Sequence, residues 1–407
     1  MARSVGVVHS ATDVRFVTAL TTVVGLLGIS VGMTAHHTVE LRSDTFTQPT
    51  SEMRRAMAEA ECGDDVWGLD PTVNAFQKEA AEKFGFHSAL YLPTATMSNL
   101  VAMLVHCEKK GSEIILGDKA HMHIYEQGGY STIAGAHCRT VPNQPDGTLR
   151  LEDVEFAIRP FESHYPITRA VCVENTHNMC GGRVLGKDYL ESLGALCKKY
   201  DVKLHVDGSR IFNAAVRLGI SVKELTEQAD SVTLCLSKGL SAPLGALLLT
   251  RTEADAVLAH RFRKVLGGNM RQVGVVACCG RIAINKMVDR LAEDHDHARM
   301  LAEGLASIDG VACNVEAVDS NMVRWGIDKK VGDRVTCAKL VEALASGDGV
   351  CVKMICIERG AAIRAVTHRH ITSDDIAKAV TKVRKVMETA VTTWPQLTEA
   401  DHILTIE

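Results

Sequence analysis

The chain has 407 residues, enough for two or three domains and a large core, and its 46% hydrophobic and 23% charged content is that of an ordinary globular protein. A net charge of −4 with no basic block and an aromatic content of 4% argue against nucleic acid as a partner. The thirteen cysteines are odd in number, scattered and without a C-x-x-C pair, which argues against a zinc site and points to a reducing compartment.

The first 40 residues differ from the rest. Residues 16–35 are uncharged and long enough to span a bilayer, yet they include several threonines and glycines, and Arg3 and Arg15 precede them. A secretion signal or membrane anchor, an organelle-targeting leader and a segment without function are all compatible with this composition. The reduced cysteines oppose secretion. The cytoplasm is the expected location, with the mitochondrion as the alternative, and residues 1–40 are set outside the fold.

From residue 41 a loop-rich segment runs to residue 71, and the spacing predicts a helix over 71–84. Strands are expected over 89–92, 113–116, 137–141, 170–174, 202–206, 231–236 and 245–250. Helical patterns such as 99–107, 188–200 and 221–229 lie between them. Apolar strands separated by amphipathic helices predict an α/β fold with a mainly parallel seven-stranded sheet covered on both faces. After residue 272 a long helical stretch leads to 308. Strands over 322–326, 350–357 and 361–366 and a last helix over 374–389 form a smaller α+β unit. The expected division is an extension over 1–40, a large domain over 41–287 and a small C-terminal domain over 288–407.

Several strand ends carry chemistry. Asp207 and Lys238 each end an apolar strand, and in open α/β sheets ligands bind beyond the carboxyl ends of strands. With Arg210 they make the set that pyridoxal phosphate (PLP) needs: an amine for a Schiff base, a carboxylate to keep the pyridine nitrogen protonated, and a planar fork for an amino-acid carboxylate. Each residue alone is ordinary, and an Asp-x-x-Arg is usually a weak surface pair. Their common setting is what gives them weight. Tyr91-Leu-Pro-Thr-Ala-Thr-Met-Ser-Asn99 puts small and hydroxyl residues ahead of a helix, which suits a phosphate cradle or a plain cap by Thr94 or Thr96. His121 is placed to cover a planar ring and to move protons near neutral pH. Glu126 is either a second acid/base group or a helix-start carboxylate. Glu174-Asn-Thr-His-Asn178 takes His177 to another strand end. Arg364 sits amid apolar alternation and needs an anion, either a substrate carboxylate or a structural acid.

These residues belong to longer motifs. They include Leu41-Arg-Ser-Asp-Thr45, Gly63-Asp-Asp-Val66, Asp70-Pro-Thr-Val73, Gly181-Gly182, Asp207-Gly208, Arg210-Ile-Phe-Asn213, Ser237-Lys-Gly239, Met270-Arg-Gln272 and Arg364 with Val366-Thr-His368. With them the chain resembles the low-specificity L-threonine aldolases from about Glu40 to the last helix. The resemblance implies the aspartate-aminotransferase-like fold type I, pyridoxal 5'-phosphate as cofactor, and cleavage of L-threonine or L-allo-threonine to glycine and acetaldehyde. It also implies a homotetramer with active sites formed between subunits. Position by position it implies Lys238 as the Schiff-base lysine, Asp207 at the pyridine nitrogen, and Ala95 and Thr96 at the phosphate. Arg271, from this or a neighbouring subunit, would lie close to the site, and His121 would stack on the ring. Ser43, Arg210 and Arg364 would hold the substrate carboxylate, and His177 would approach the substrate hydroxyl. The base stays open among His121, His177 and a water. Ala95 stands for a usual Gly, Ser209 for Ala, Trp67 for Tyr and Asn269 for Gly; none of these removes a group the chemistry requires. No metal is expected. A PLP-dependent β-elimination or racemisation is the alternative reaction, and a binding or assembly role is the alternative class.

Overall fold

The computed structural model describes residues 37–347 and 349–397. The apolar run of residues 16–35 lies outside them. The strands in chain order are β1 (Thr38–Glu40), β2 (Ser88–Leu92), β3 (Ser112–Gly117), β4 (His137–Val141), β5 (Ile167–Glu174), β6 (Lys203–Gly208), β7 (Ser231–Cys235) and β8 (Ala246–Thr250). After three long helices come β9 (Val311–Cys313), β10 (Met322–Ile327), β11 (Cys351–Lys353), β12 (Ile355–Ile357) and β13 (Ala362–Val366).

Strands β2 to β8 form one seven-stranded sheet in the order β2-β8-β7-β6-β5-β3-β4. All neighbours run parallel except β8, which is antiparallel to both β7 and β2. The segment between β7 and β8 carries no helix and is too short for a parallel crossover, so the chain turns back. Successive residues face opposite cores. Tyr91, Ile115, Val171, Leu247 and Leu249 pack on one face. Leu90, Leu92, Ile114, Leu116, Cys172 and Leu248 pack on the other. Both faces are dry, which is why these strands read as continuous apolar runs.

A second sheet, β12-β13-β10-β9, is antiparallel and has its own core around Trp325, Ile363, Leu301 and Val383. The start of the described chain joins this core. β1 pairs in parallel with β11, the Leu41 N–H donates to the Lys353 carbonyl (2.9 Å), and the Leu41 carbonyl accepts from the Val366 N–H (2.8 Å). The strand expected over 350–357 is therefore two short strands serving two sheets, parting at Met354.

Local signals explain most boundaries. Asp70 accepts from the Val73 N–H (3.0 Å), Pro71 fills the first turn, and Gly85 at φ +71° ends the Pro71–Phe84 helix. The helix expected over 99–107 begins earlier, at Ala95, because the extended Thr94 caps it through the Met97 N–H (3.1 Å). The stretch expected over 272–308 is two helices, Gly274–Lys286 and Leu291–Ala306. The break between them carries neither glycine nor proline, so no local residue announces it. No helix among the described residues is long and apolar enough to cross a membrane. All thirteen cysteines are free.

Candidate active site

Glu174 and Asp207 are register partners at the carboxyl ends of β5 and β6, and Lys238 follows the end of β7. Asp207 is 1% exposed. Its Oδ1 accepts from the Ser209 N–H (3.1 Å) and hydroxyl (2.7 Å), and its Oδ2 accepts from the Asn99 amide (3.0 Å). Burial opposes its ionisation, but His121, Lys238 and the Ser209 hydrogen bond outweigh it and hold Asp207 below the ordinary aspartate value. Lys238 also acts on Asp44, so these groups share one electrostatic neighbourhood. The Lys238 carbonyl accepts from the Thr47 hydroxyl (2.7 Å), tying the lysine turn to the N-terminal segment.

His121 opens a short turn after β3. Its N–H donates to Glu174 Oε2 (2.7 Å) and its Nδ1 meets Glu126 Oε1 (3.0 Å). Burial alone would lower its pKa, but the Glu126 bond and the charges of Asp207 and Glu174 raise it. Glu126 is itself raised, by burial first and by Asp207, against its bonds from His121 and Asn99. The two groups share one hydrogen bond, in which an ionised Glu126 accepts from the imidazole Nδ1. The Tyr125 ring lies 5.5 Å from the His121 ring. His121, Glu126 and Asp207 bring one ligand atom each within 4.8 Å of one another, a spacing open to a cation, although hydrogen bonds from His121 and Asn99 already occupy these carboxylate oxygens.

The two arginines expected at a substrate carboxylate differ. The Nε and Nη2 edge of Arg210 is taken by Asp44 (2.8 and 2.7 Å), and Asn321 adds a bond to Asp44 (3.2 Å). The expectation that this fork is open to a ligand is corrected accordingly: two buried charges pair with each other, because either alone would be costly. Only the Nη1 of Arg210 makes no hydrogen bond among the described residues. Arg364 has no acid partner among the described residues. Its Nη1 donates to Asn178 Oδ1 (2.6 Å), its Nη2 donates to the Arg42 carbonyl (3.0 Å), and its buried Nε has no partner. Burial, then Arg210, pushes its pKa down to about 10. Ser43 stands beside the Asp44–Arg210 pair, 3.5 Å from Asp44 Oδ1.

His177 is buried. Its Nδ1 accepts from the Cys180 N–H (3.4 Å), and its Nε2 has no partner. The loop around it needs glycine. A Cβ on Gly182, at φ +75°, would stand 2.6 Å from Ser320 Oγ, where the loop lies against the C-terminal sheet. At the Ala95–His106 helix, Thr94 satisfies the N–H groups of Met97 and Ser98, while those of Ala95 and Thr96 make no hydrogen bond among the described residues. Arg271 is half-exposed and pairs with Asp64 (2.8 Å); within the chain no hydrogen bond joins it to Ala95 or Thr96.

These groups fit the expected cofactor and an amino acid. A buried anion faces a lysine, free helix N–H groups suit a phosphate, and the Nε of Arg364 and Nε2 of His177 lack partners. Sequence reasoning passed over the roles of Asp44, Asn99, Glu174 and Asn178. Asp44, Glu174 and Asn178 lay inside quoted motifs and Asn99 closed another, but no spacing showed what each would hold.

Behind Asp207, burial pushes His205 down to about 3 and His106 down to about 4. The folded state then binds fewer protons than the unfolded chain. Their contribution to stability is complete above ~6.5, the unfolded value, and is lost as the pH falls toward the folded values. We expect unfolding free energy from urea titrations to drop by about 1.4 kcal/mol per pH unit for each histidine between about pH 6.5 and about pH 4. His106→Asn should remove one histidine's share, and an unchanged slope would contradict a neutral His106.

Residues 40–328 match the family model of beta-eliminating lyases. The chain is 43% identical over 353 residues to low-specificity L-threonine aldolase 1 of Arabidopsis thaliana, covering 86% of this chain and 97% of that relative. It is 40% identical over 340 residues to the low specificity L-threonine aldolase of Escherichia coli (strain K12), covering 84% and 96%. The chain belongs to the low-specificity L-threonine aldolase family. The solved structure of Leishmania major threonine aldolase superposes with a TM-score of 0.72 at 19% identity, covering 85% of this chain and 99% of that one, and so shares the fold of this family member.

Proposed function

We propose that the chain cleaves L-threonine and L-allo-threonine to glycine and acetaldehyde, with pyridoxal 5'-phosphate as cofactor. The observation that carries this reading is an anionic, fully buried Asp207 in the electrostatic reach of Lys238. When bound, the cofactor supplies an electron sink for the bond broken at the substrate's α-carbon. Lys238 holds its aldehyde end and Asp207 holds the proton on its ring nitrogen. The free N–H groups of Ala95 and Thr96, aided by the helix dipole, hold its phosphate. Arg271, from this or a neighbouring subunit, adds a cation there.

Arg364, the remaining Nη1 of Arg210, and Ser43 hold the substrate carboxylate. That grip would orient the Cα–Cβ bond for cleavage, and such positioning contributes much of the rate. His121 covers the ring, and His177 turns Nε2 toward the substrate hydroxyl. The hydroxyl proton goes to His121, to His177 or to a water they hold. The free thiols favour a reducing compartment, the cytoplasm or alternatively the mitochondrion. The large domain is assigned to 41–287 and the small one to 288–407, and the assembly is a homotetramer.

The test is product analysis with L-threonine. Equimolar glycine and acetaldehyde support aldol cleavage, whereas ammonia with a 2-oxo acid would make the chain a β-eliminating enzyme. Arg364→Ala should raise KM for L-threonine ~30-fold or more, the worth of a lost charge-assisted bond, while cofactor absorbance persists. An unchanged KM would remove Arg364 from the carboxylate site.

A further inference from the structure

The Ala95–His106 helix reaches Asp207 through the side chain of Asn99. Asn99 Nδ2 has two protons and two carboxylate partners, Asp207 Oδ2 and Glu126 Oε1, both at 3.0 Å. Its Oδ1 meets His205 Nε2 at 3.1 Å. An amide oxygen only accepts, so His205 carries its proton on Nε2. The neutral ring must then accept at Nδ1, where the Ser231 hydroxyl lies at 2.8 Å. Having given its proton to His205, Ser231 Oγ accepts from His106 Nε2 at 2.7 Å. Every bond in the series has one allowed direction.

We propose that His205, held by Ser231 and His106, locks the Asn99 amide in one orientation, and that Asn99 thereby positions Asp207 for the cofactor's ring nitrogen and Glu126 for His121. A flipped amide would turn its oxygen toward two carboxylates and lose both bonds. The His205 N–H forbids that flip. Asp207 acts to raise His205, and Asp255 and Asp230 to raise His106; burial, with His106 acting on His205 and Lys203 on His106, outweighs them and keeps both rings neutral. His205 and Asn99 are positioning residues, and the inference rests on the proposed reading of the site as a pyridoxal phosphate site.

Two measurements test it. Cofactor titrated into apoprotein should bind about tenfold or more weakly to His205→Phe and to Asn99→Ala, and the pH midpoint of the bound cofactor's absorbance should shift in both. The double variant should be no worse than Asn99→Ala alone, and His205→Gln, which keeps a donor, should recover most of the loss. Losses that multiply in the double variant, or an unaffected His205→Phe, overturn the proposal. Ring nitrogen-15 spectra of the wild-type chain, which need no variant to fold, should show a neutral His205 protonated on Nε2 from about pH 5 to about pH 8. A charged ring or an Nδ1 proton overturns it. Wild-type chain that takes up no cofactor overturns the functional reading instead, while the ring spectra still decide the direction of the bonds.

Discussion

Lys238→Ala is expected to abolish both the visible absorbance of lysine-bound cofactor and the release of acetaldehyde from L-threonine, with activity falling by at least ~10⁴-fold. The lysine follows a strand whose five residues, Ser231–Cys235, are all buried, so its position is set by the sheet. Its carbonyl is held by Thr47 and its amine lies in the field of Asp44 and Asp207. Loss of covalent capture removes a whole step rather than one contact, and effects of that kind are the largest an active site shows. Lys238→Arg separates charge from chemistry: it keeps the cation but not the nucleophile and should be as inactive as the alanine variant. Retained absorbance and acetaldehyde release in Lys238→Ala would refute the assignment.

Asp207→Asn is the second large effect, and its signature differs. Lys238 remains, so cofactor absorbance should persist, but kcat should fall by about 10³-fold because a preorganised charge opposite the ring nitrogen is gone. The substitution is nearly isosteric, so shape is not the cause. An asparagine amide would also point its N–H groups at one of two existing donors, the Ser209 N–H and hydroxyl or the Asn99 amide, leaving buried donors facing each other. Asp207→Glu keeps the charge and should retain more activity than Asp207→Asn. Activity of Asp207→Asn within tenfold of wild type would show that the ring nitrogen does not depend on this carboxylate. Together the two variants separate attachment of the cofactor from its electronic tuning.

The large sheet was legible because strands buried on both faces are written as apolar runs, and the seven expected positions match the seven observed strands within a few residues. The Pro71–Phe84 helix was legible because its cap, its first-turn proline and its terminating glycine are adjacent in sequence. The short β1 and β9 were not, since three residues carry no periodicity, and β1 exists only because β11 lies beside it. The start at Ala95 turned on the conformation of Thr94, which either an exposed loop residue or a cap could adopt.

The sequence by itself determined the fold class, the family and the residue types at the strand ends, because periodicity, capping and motif spacing are local properties of the chain. Which charge would be paired was decided only in three dimensions. Asp44 closes on Arg210 across 166 positions, while Arg364 donates to the side-chain oxygen of Asn178 and the backbone carbonyl of Arg42 and meets no acid among the described residues. Asn99 joins Asp207 across 108 positions and His205 across 106. The physical reason is that a buried polar group is satisfied by whatever neighbour the packing brings within about 3 Å, and that neighbour carries no signature in the residues beside it.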